Sequence, residues 1–193
     1  MNYCCYCGSR VVSKIPPDDD RPRYVCTSCE TIHYQNPKIV AGCIPARDNR
    51  ILLCRRAIEP RRGFWTLPAG YMELGETSLE TAIRETLEEA NASVKVVDLF
   101  AVFNLPHVNQ VYLMFRSELQ NMDFSPGAES LEVALFGESQ IPWDEIAFMT
   151  VRQTLKFYFQ DLRAGGFHLH TGDIVKQENL YNFRAGPSEA NRG

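Results

Sequence analysis

Two groups of side chains in this sequence have the types and spacing to do chemistry. The first lies in "LPAGYMELGETSLETAIRETLEEANA", residues 67–92, where six glutamates surround a single arginine. Thr77 with Glu80 three residues later fits a capping box, so a helix is expected to begin near Thr77 or Ser78. Leu79, Ala82, Ile83, Thr86, Leu87 and Ala90 recur at helical spacing and form the expected buried face. Glu85, Glu88 and Glu89 then fall on the opposite side. Like charges at such spacing cost helix stability, and Arg84 is the one basic residue in the stretch to compensate. A hard divalent cation such as Mg²⁺, which prefers carboxylate oxygens, would offset the repulsion. Three glutamates taken alone read better as a solvated acidic face, and the surrounding stretch is what changes that.

The second group is cysteine. Cys4-x2-Cys7 and Cys26-x2-Cys29 are two CxxC pairs separated by 18 residues. Each pair can place two thiolates on one turn, and two such knuckles complete a tetrahedral Zn²⁺ site of the closed, structural kind. A redox or disulfide role is the alternative reading of the same pairs. A module of this size with few large apolar side chains needs such a staple to fold. Cys5 lies between ligand positions, and Cys43 and Cys54 sit in apolar strand patterns typical of core residues.

The elements that must position these groups are legible in outline. Residues 39–46 and 51–55 are short apolar runs around Asp48-Asn49, a hairpin pattern. "GFWTLPAG" carries a breaker at each end and leads towards the acidic helix. "SVKVVDLFAVFNL" and "QVYLMFRSEL" read as strands, "AESLEVALFG" as a strand or a loop entering one, and "WDEIAFM" as a short helix. In "TVRQTLKFYFQDL", Val151, Leu155, Tyr158, Phe159 and Leu162 share a helical face, with Gly165-Gly166 as a stop. The expected division is a cysteine-rich module at 1–34, a main domain at 35–175 and a polar, loosely ordered tail at 176–193.

Composition is ordinary: 193 residues, 45% hydrophobic, 23% charged, formal net charge −4. That balance argues against a general nucleic-acid or membrane-surface binder. Arg10, Lys14, Arg21, Arg23 and Lys38 supply some positive charge, but Asp18, Asp19 and Asp20 intervene, so no nucleic-acid partner is expected. No apolar run approaches a membrane span, and "MNYCCYCGSR" lacks the apolar core of a signal peptide. A cytoplasmic location, where cysteines are thiols or metal ligands rather than disulfides, is the expectation.

Gly70, Glu76, Arg84, Glu85, Glu88 and Glu89 stand in the spacing G-x5-E-x7-R-E-x2-E-E, which resembles the Nudix box of hydrolases that cleave nucleoside diphosphates linked to another group. Two positions depart from it: Asn91 stands where the family usually has glycine, and Thr86 where it is usually aliphatic. The resemblance implies an α/β/α sandwich with a mixed sheet. It also implies that Glu85, Glu88, Glu89 and the Ala69 carbonyl hold Mg²⁺ or Mn²⁺, with Arg84 orienting the carboxylates and Glu76 bracing the loop around Gly70. Which carboxylate takes the proton from water stays open among Glu89, Glu129 and Glu132.

"CTSCETIHYQNPKIVAGCI", "RRGFWTLPAGYMELGET", "GAESLEVALF" and "HTGDIVK" further resemble plant-type FAD and ADP-ribose pyrophosphatases and their bacterial relatives, in which a zinc ribbon precedes the Nudix domain. The implied reaction is hydrolysis of FAD to FMN and AMP, or of ADP-ribose. The motif of NADH pyrophosphatases, S-Q-P-W-P-F-P, is absent after the box. NADH or another dinucleotide, or a non-catalytic ligand sensor whose ribbon contacts nucleic acid or a partner, are the alternatives. Phe64, Trp65, Tyr71, Phe103 and Tyr112 are candidate stacking surfaces, with His107 and Asn109 in a loop nearby. Dimers are common among such relatives, so a homodimer is compatible with the resemblance, although no residue pattern demonstrates an interface.

Overall fold

The computed structural model describes residues 1–177 and 180–186. The chain divides into two compact units, Met1–Pro37 and the remainder from Lys38. The first is a three-stranded antiparallel sheet of β1 (Val11–Lys14), β2 (Arg23–Cys26) and β3 (Ile32–His33), in that order. Its buried apolar residues are few, Cys4, Val25 and Cys26, as the sequence of the module requires.

The second unit is built on a mixed sheet. It begins with the expected hairpin: β4 (Lys38–Arg47) turns into β5 (Arg50–Arg56) through Asp48 and Asn49, at φ 51° and 59°. Two consecutive left-handed residues of this type make the turn whose twist matches a hairpin. Short strands β6 (Trp65–Thr66) and β7 (Ala69–Tyr71) pair with β5 and β4. Then follow helix α1 (Ser78–Ala90), the long strands β8 (Val94–Leu105) and β9 (Gln110–Leu119), and β10 (Ser130–Phe136). Helix α2 (Met149–Ala164) precedes β11 (His170–Gln177) and β12 (Leu180–Ala185). The strand order is β10-β5-β4-β9-β8-β11-β12, with β4·β9 and β8·β11 parallel and the other neighbours antiparallel.

Alternation along β5 sorts its side chains onto the two faces. Ile51 and Leu53 join Phe100, Phe103, Leu155 and Phe159 under α2, whereas Leu52 and Cys54 join Ala41, Cys43, Ala82 and Ala90 under α1. The sheet is therefore a layer between helices, as expected. Val151, Leu155, Tyr158 and Phe159 are buried on α2, and Leu162 packs against the same cluster.

Three expectations need correction. The buried face of α1 consists of Thr81, Ala82, Thr86, Glu89 and Ala90, while Leu79, Ile83 and Leu87 are exposed. Small side chains let the helix lie close on Ala41 and Cys43 of β4, and the Cys43 Sγ approaches the Ala82 carbonyl at 3.4 Å. The region expected as a loose tail from residue 176 instead carries the end of β11 and the strand β12, paired from Gly172↔Ala185 to Gln177↔Leu180. Residues 178, 179 and 187–193 of that expected tail lie outside the described residues. The "WDEIAFM" segment holds a single 3-10 turn, Trp143–Glu145.

Asp161 and His170 fasten α2 to β11. His170 Nε2 lies 2.9 Å from Asp161 Oδ2, which also accepts from the His168 amide at 3.1 Å, and the His170 ring stacks on Phe157 at 4.0 Å. Both Asp161 and His170 are buried. Asp161→Ala removes an acceptor that two donors share in the core, and a loss of about 2–3 kcal/mol is expected. Urea unfolding monitored by tryptophan fluorescence checks this, with Asp161→Asn, which keeps one oxygen, falling between the two. No helix among the described residues is long and apolar enough to cross a membrane.

Candidate functional site

The carboxylate cluster is assembled by one loop and one helix. Thr77 caps α1 in full capping-box geometry: its Oγ1 accepts from the Glu80 amide at 3.2 Å, and Glu80 Oε2 accepts from the Thr77 amide at 2.7 Å. The loop between β7 and α1 is held by Glu76. Its carboxylate accepts from the Glu73 amide at 3.1 Å, Thr81 Oγ1 at 2.8 Å and Arg84 at 2.6 and 3.0 Å. The Arg84 guanidinium, which is the largest influence, holds the Glu76 carboxyl down at about 2.

Arg84 also donates from Nη1 to Glu85 Oε1 at 2.8 Å and Glu88 Oε2 at 3.1 Å, and from Nη2 to the Tyr71 carbonyl at 3.1 Å. Five contacts from one planar side chain thus join the loop to the helix. Glu89 stands apart, with its Oε1 accepting from the Ala69 amide at 3.3 Å. Burial pushes Glu89 up to about 8, with Glu85 and Glu129 adding to the rise. Burial also raises Glu85, against the lowering effect of Arg84.

The residues present fit a hard cation by two observations. A Cβ on Gly70 would sit 2.2 Å from the Glu85 carboxylate, so only glycine leaves room for these oxygens against the backbone. The donor set around it is all oxygen, from Glu85, Glu88 and Glu89, which suits Mg²⁺ or Mn²⁺ and not a soft metal.

These side chains form one wall of a cavity of about 1240 Å³. Ala69, Gly70, Arg84, Glu85, Glu88, Glu89 and Glu129 all line it. Glu132 does not; it lies on β10 with Oε2 3.6 Å from Arg55 Nη1, and 53% of its side chain is exposed. Of the candidate aromatics, Phe64, Tyr71 and Tyr112 line the cavity, whereas Trp65 and Phe103 are core residues. His107 reaches the cavity beside Tyr181, and Asn109 instead caps the 3-10 turn Pro106–Val108. Sequence reasoning missed Trp143, Phe148, Arg56 and Arg152, which line the cavity from elements distant in the chain. The Arg56 guanidinium lies over the Phe148 ring at 5.1 Å, and its Nε donates to the Pro60 carbonyl at 2.9 Å. No local spacing signals that convergence.

In the N-terminal unit the sulfurs of Cys4, Cys7, Cys26 and Cys29 lie within 4.8 Å of one another. The separations Cys7–Cys26 of 3.4 Å, Cys7–Cys29 of 3.5 Å and Cys4–Cys29 of 3.7 Å are close to the about 3.8 Å that a tetrahedral Zn–S site requires. The Ser9 backbone N–H is the main influence bringing the Cys7 thiol down to about 6. Cys26 Sγ accepts from the amides of Ser28 and Cys29, both at 3.4 Å. His33 is buried with Nε2 3.3 Å from Cys4 Sγ. Cys5 is exposed, and Cys43 and Cys54 are buried in the core, outside the cluster.

Comparison with known proteins follows the same division. Residues 2–35 match the family model described as Nudix N-terminal, a zinc ribbon, and residues 36–157 match the model described as NUDIX domain. An ADP-ribose pyrophosphatase of Methanocaldococcus jannaschii is 30% identical over 70% of this chain and 78% of its own length. An NAD-capped RNA hydrolase NudC of Photobacterium profundum is 26% identical over 80% of this chain, but this chain spans only 58% of that relative. The crystal structure of a NUDIX hydrolase from Nitrosomonas europaea superposes with a TM-score of 0.89 at 54% identity, covering 91% of this chain and all of the other.

Two outcomes are expected. Glu89 binds a proton more tightly in the folded protein, at about 8, than the ordinary 4.5 of an unfolded chain. Its contribution is therefore present below the lower value and lost as pH rises through the higher one. Metal-free protein should lose about 10 °C or more of Tm between about pH 5 and 8.5 relative to Glu89→Gln, as read by scanning fluorimetry across pH. In the ribbon, metal analysis should return about one zinc per chain. Cys26→Ser should abolish it and remove amide-exchange protection from β2 and β3, leaving α1 protected.

Proposed function

The chain belongs to the Nudix hydrolase family, and from that membership we propose that it hydrolyses the diphosphate link of FAD or ADP-ribose. The observation that carries this reading is the meeting of Glu85, Glu88, Glu89 and Glu129 on one wall of a single large cavity. Its volume of about 1240 Å³ exceeds the about 300–1,000 Å³ of common small-molecule sites, which suits a two-part nucleotide better than a mononucleotide. Phe64, Tyr112, Trp143 and Phe148 offer aromatic surface for a base or isoalloxazine.

In this reading Glu85, Glu88, Glu89 and the Ala69 carbonyl would hold Mg²⁺ or Mn²⁺. A bound divalent ion neutralises diphosphate charge and lowers the pKa of an attacking water. Arg84 keeps Glu85 and Glu88 oriented, and Glu76 keeps Arg84 oriented. Glu129 lines the cavity near Glu85 and Glu89, raising both, and we assign it to accept the proton of the attacking water. Arg56 lies on the same cavity, where a phosphate oxygen can pair with it. Zinc held by Cys4, Cys7, Cys26 and Cys29 would be structural, since four thiolates leave no open position. Similarity to the NudC proteins favours NAD-type diphosphates as a second substrate class.

The test is chromatography of products from FAD, ADP-ribose, NADH and a nucleoside triphosphate with Mg²⁺ or Mn²⁺. FAD or ADP-ribose should give AMP. Glu88→Gln and Glu89→Gln should lower kcat and weaken Mn²⁺ binding together. Glu129→Gln should lower kcat about 10²-fold or more while leaving Mn²⁺ binding intact. Binding of a nucleotide without turnover under any metal would replace this reading with that of a ligand sensor.

A further inference from the structure

Helix α1 ends in a residue whose side chain does more than end it. Asn91 follows Ala90 in the left-handed conformation, φ 46° and ψ 30°, and its amide bonds to the Leu87 carbonyl at 2.8 Å. Glycine supplies that backbone shape with less strain, so the cap alone does not call for asparagine. What asparagine adds is a carboxamide. Its Nδ2 lies 3.2 Å from the Ser125 carbonyl, 3.1 Å from Ser125 Oγ and 3.2 Å from the Pro126 carbonyl, 34 and 35 residues away in sequence.

The contacted segment is docked on the helix end by its backbone as well. The Ser125 amide donates to the Ala90 carbonyl at 2.9 Å, and the Gly127 amide to the Glu89 carbonyl at 3.0 Å. These are terminal carbonyls with no partner inside the helix. The approach is close: a Cβ on Gly127 would sit 1.7 Å from the Glu88 carbonyl oxygen. Two residues further on, the Glu129 carbonyl accepts from the Ala57 amide at 2.8 Å, which ties the segment to the end of β5. Glu129 is thus held between two anchors, the Asn91 clamp on one side and β5 on the other. Its side chain lines the cavity with Glu85 and Glu89.

We propose that Asn91 is a positioning residue: its carboxamide clamps residues 125–127 to the end of α1 and so sets the Glu129 carboxylate against the Glu85 and Glu89 wall. The proposal rests on the reading above that Glu129 acts on the reacting water. A plain helix cap would make the side chain dispensable, and that difference is measurable.

The experiment compares Asn91→Gly and Asn91→Asp with the full-length wild type, alone and combined with Glu129→Gln. Glycine keeps the left-handed cap and removes the clamp. Aspartate keeps the size and turns a donor into an acceptor facing two carbonyls. Both variants should lower kcat about 10-fold with KM for FAD or ADP-ribose nearly unchanged. Amide exchange should quicken across residues 122–130, with α1 as protected as before. In the Glu129→Gln background Asn91→Gly should cost little more, because the two residues act in one chain of contacts. Wild-type turnover and wild-type exchange in Asn91→Gly would overturn the proposal, and so would full additivity with Glu129→Gln. A fully active Glu129→Gln would instead overturn the role given to Glu129, and the catalytic part of the proposal with it. Exchange in Asn91→Gly still reports on the clamp itself, so the two failures are distinguishable.

Discussion

The site depends on Arg84. Glu76 in the loop and Glu85, Glu88 and Glu89 within little more than one helical turn are gathered together, and their mutual repulsion would push the loop away from the helix if nothing opposed it. A lysine presents a single point charge and could not satisfy the same set. The planar guanidinium grips Glu76 through two nitrogens, reaches Glu85 and Glu88 through a third contact point, and still bonds the Tyr71 carbonyl. It converts a repulsive set into a scaffold whose parts are fixed relative to one another. Glu89 stands outside this scaffold, and burial favours its protonated form. That carboxyl is the buried one, bonded to a backbone amide and not to Arg84.

The sheet makes this scaffold possible. Helix α1 must lie close enough to β4 and β7 for Glu85 to reach the backbone at Gly70 and for Glu89 to reach the Ala69 amide. Large apolar residues under the helix would lift it away. Thr81, Ala82, Thr86 and Ala90 on the buried face, against Ala41 and Cys43 on β4, keep the separation small. The Thr86 position, an irregularity in the sequence pattern, is accommodated because its Oγ1 donates back to the Ala82 carbonyl at 2.7 Å and so leaves no unpaired polar atom.

Features written in local chemistry were legible in the sequence. The capping box at Thr77, the Asp48-Asn49 turn and the α2 face of Val151, Leu155, Tyr158 and Phe159 each arise within a few residues, and each formed. The buried face of α1 was misread because hydrophobicity was taken as the sign of burial. On this helix the closest contact is made by small residues, and the Leu79, Ile83, Leu87 stripe faces outward. β11 and β12 were not recognised as strands. "HTGDIVKQ" has a weak apolar alternation, and its place is set by a parallel pairing with β8 some 69 residues earlier. The cavity wall of Arg56, Trp143 and Phe148 was invisible for the same reason, since its members meet only after the sheet has formed.

The two clusters of ligand-type side chains in this chain differ in a way that follows from donor chemistry. Four cysteine sulfurs close on one another at the spacing of a tetrahedron, and the amides of Ser28 and Cys29 point at the Cys26 sulfur. Nothing in that arrangement leaves a position for a substrate. The glutamates are hard oxygen donors lining a large cavity, and two of them are already engaged with Arg84. A cation held there would complete its shell with water and ligand phosphate, because the protein does not offer enough oxygens to enclose it. The closed soft site suits a small module that must be held together, and the open hard site suits one where bonds must be made and broken.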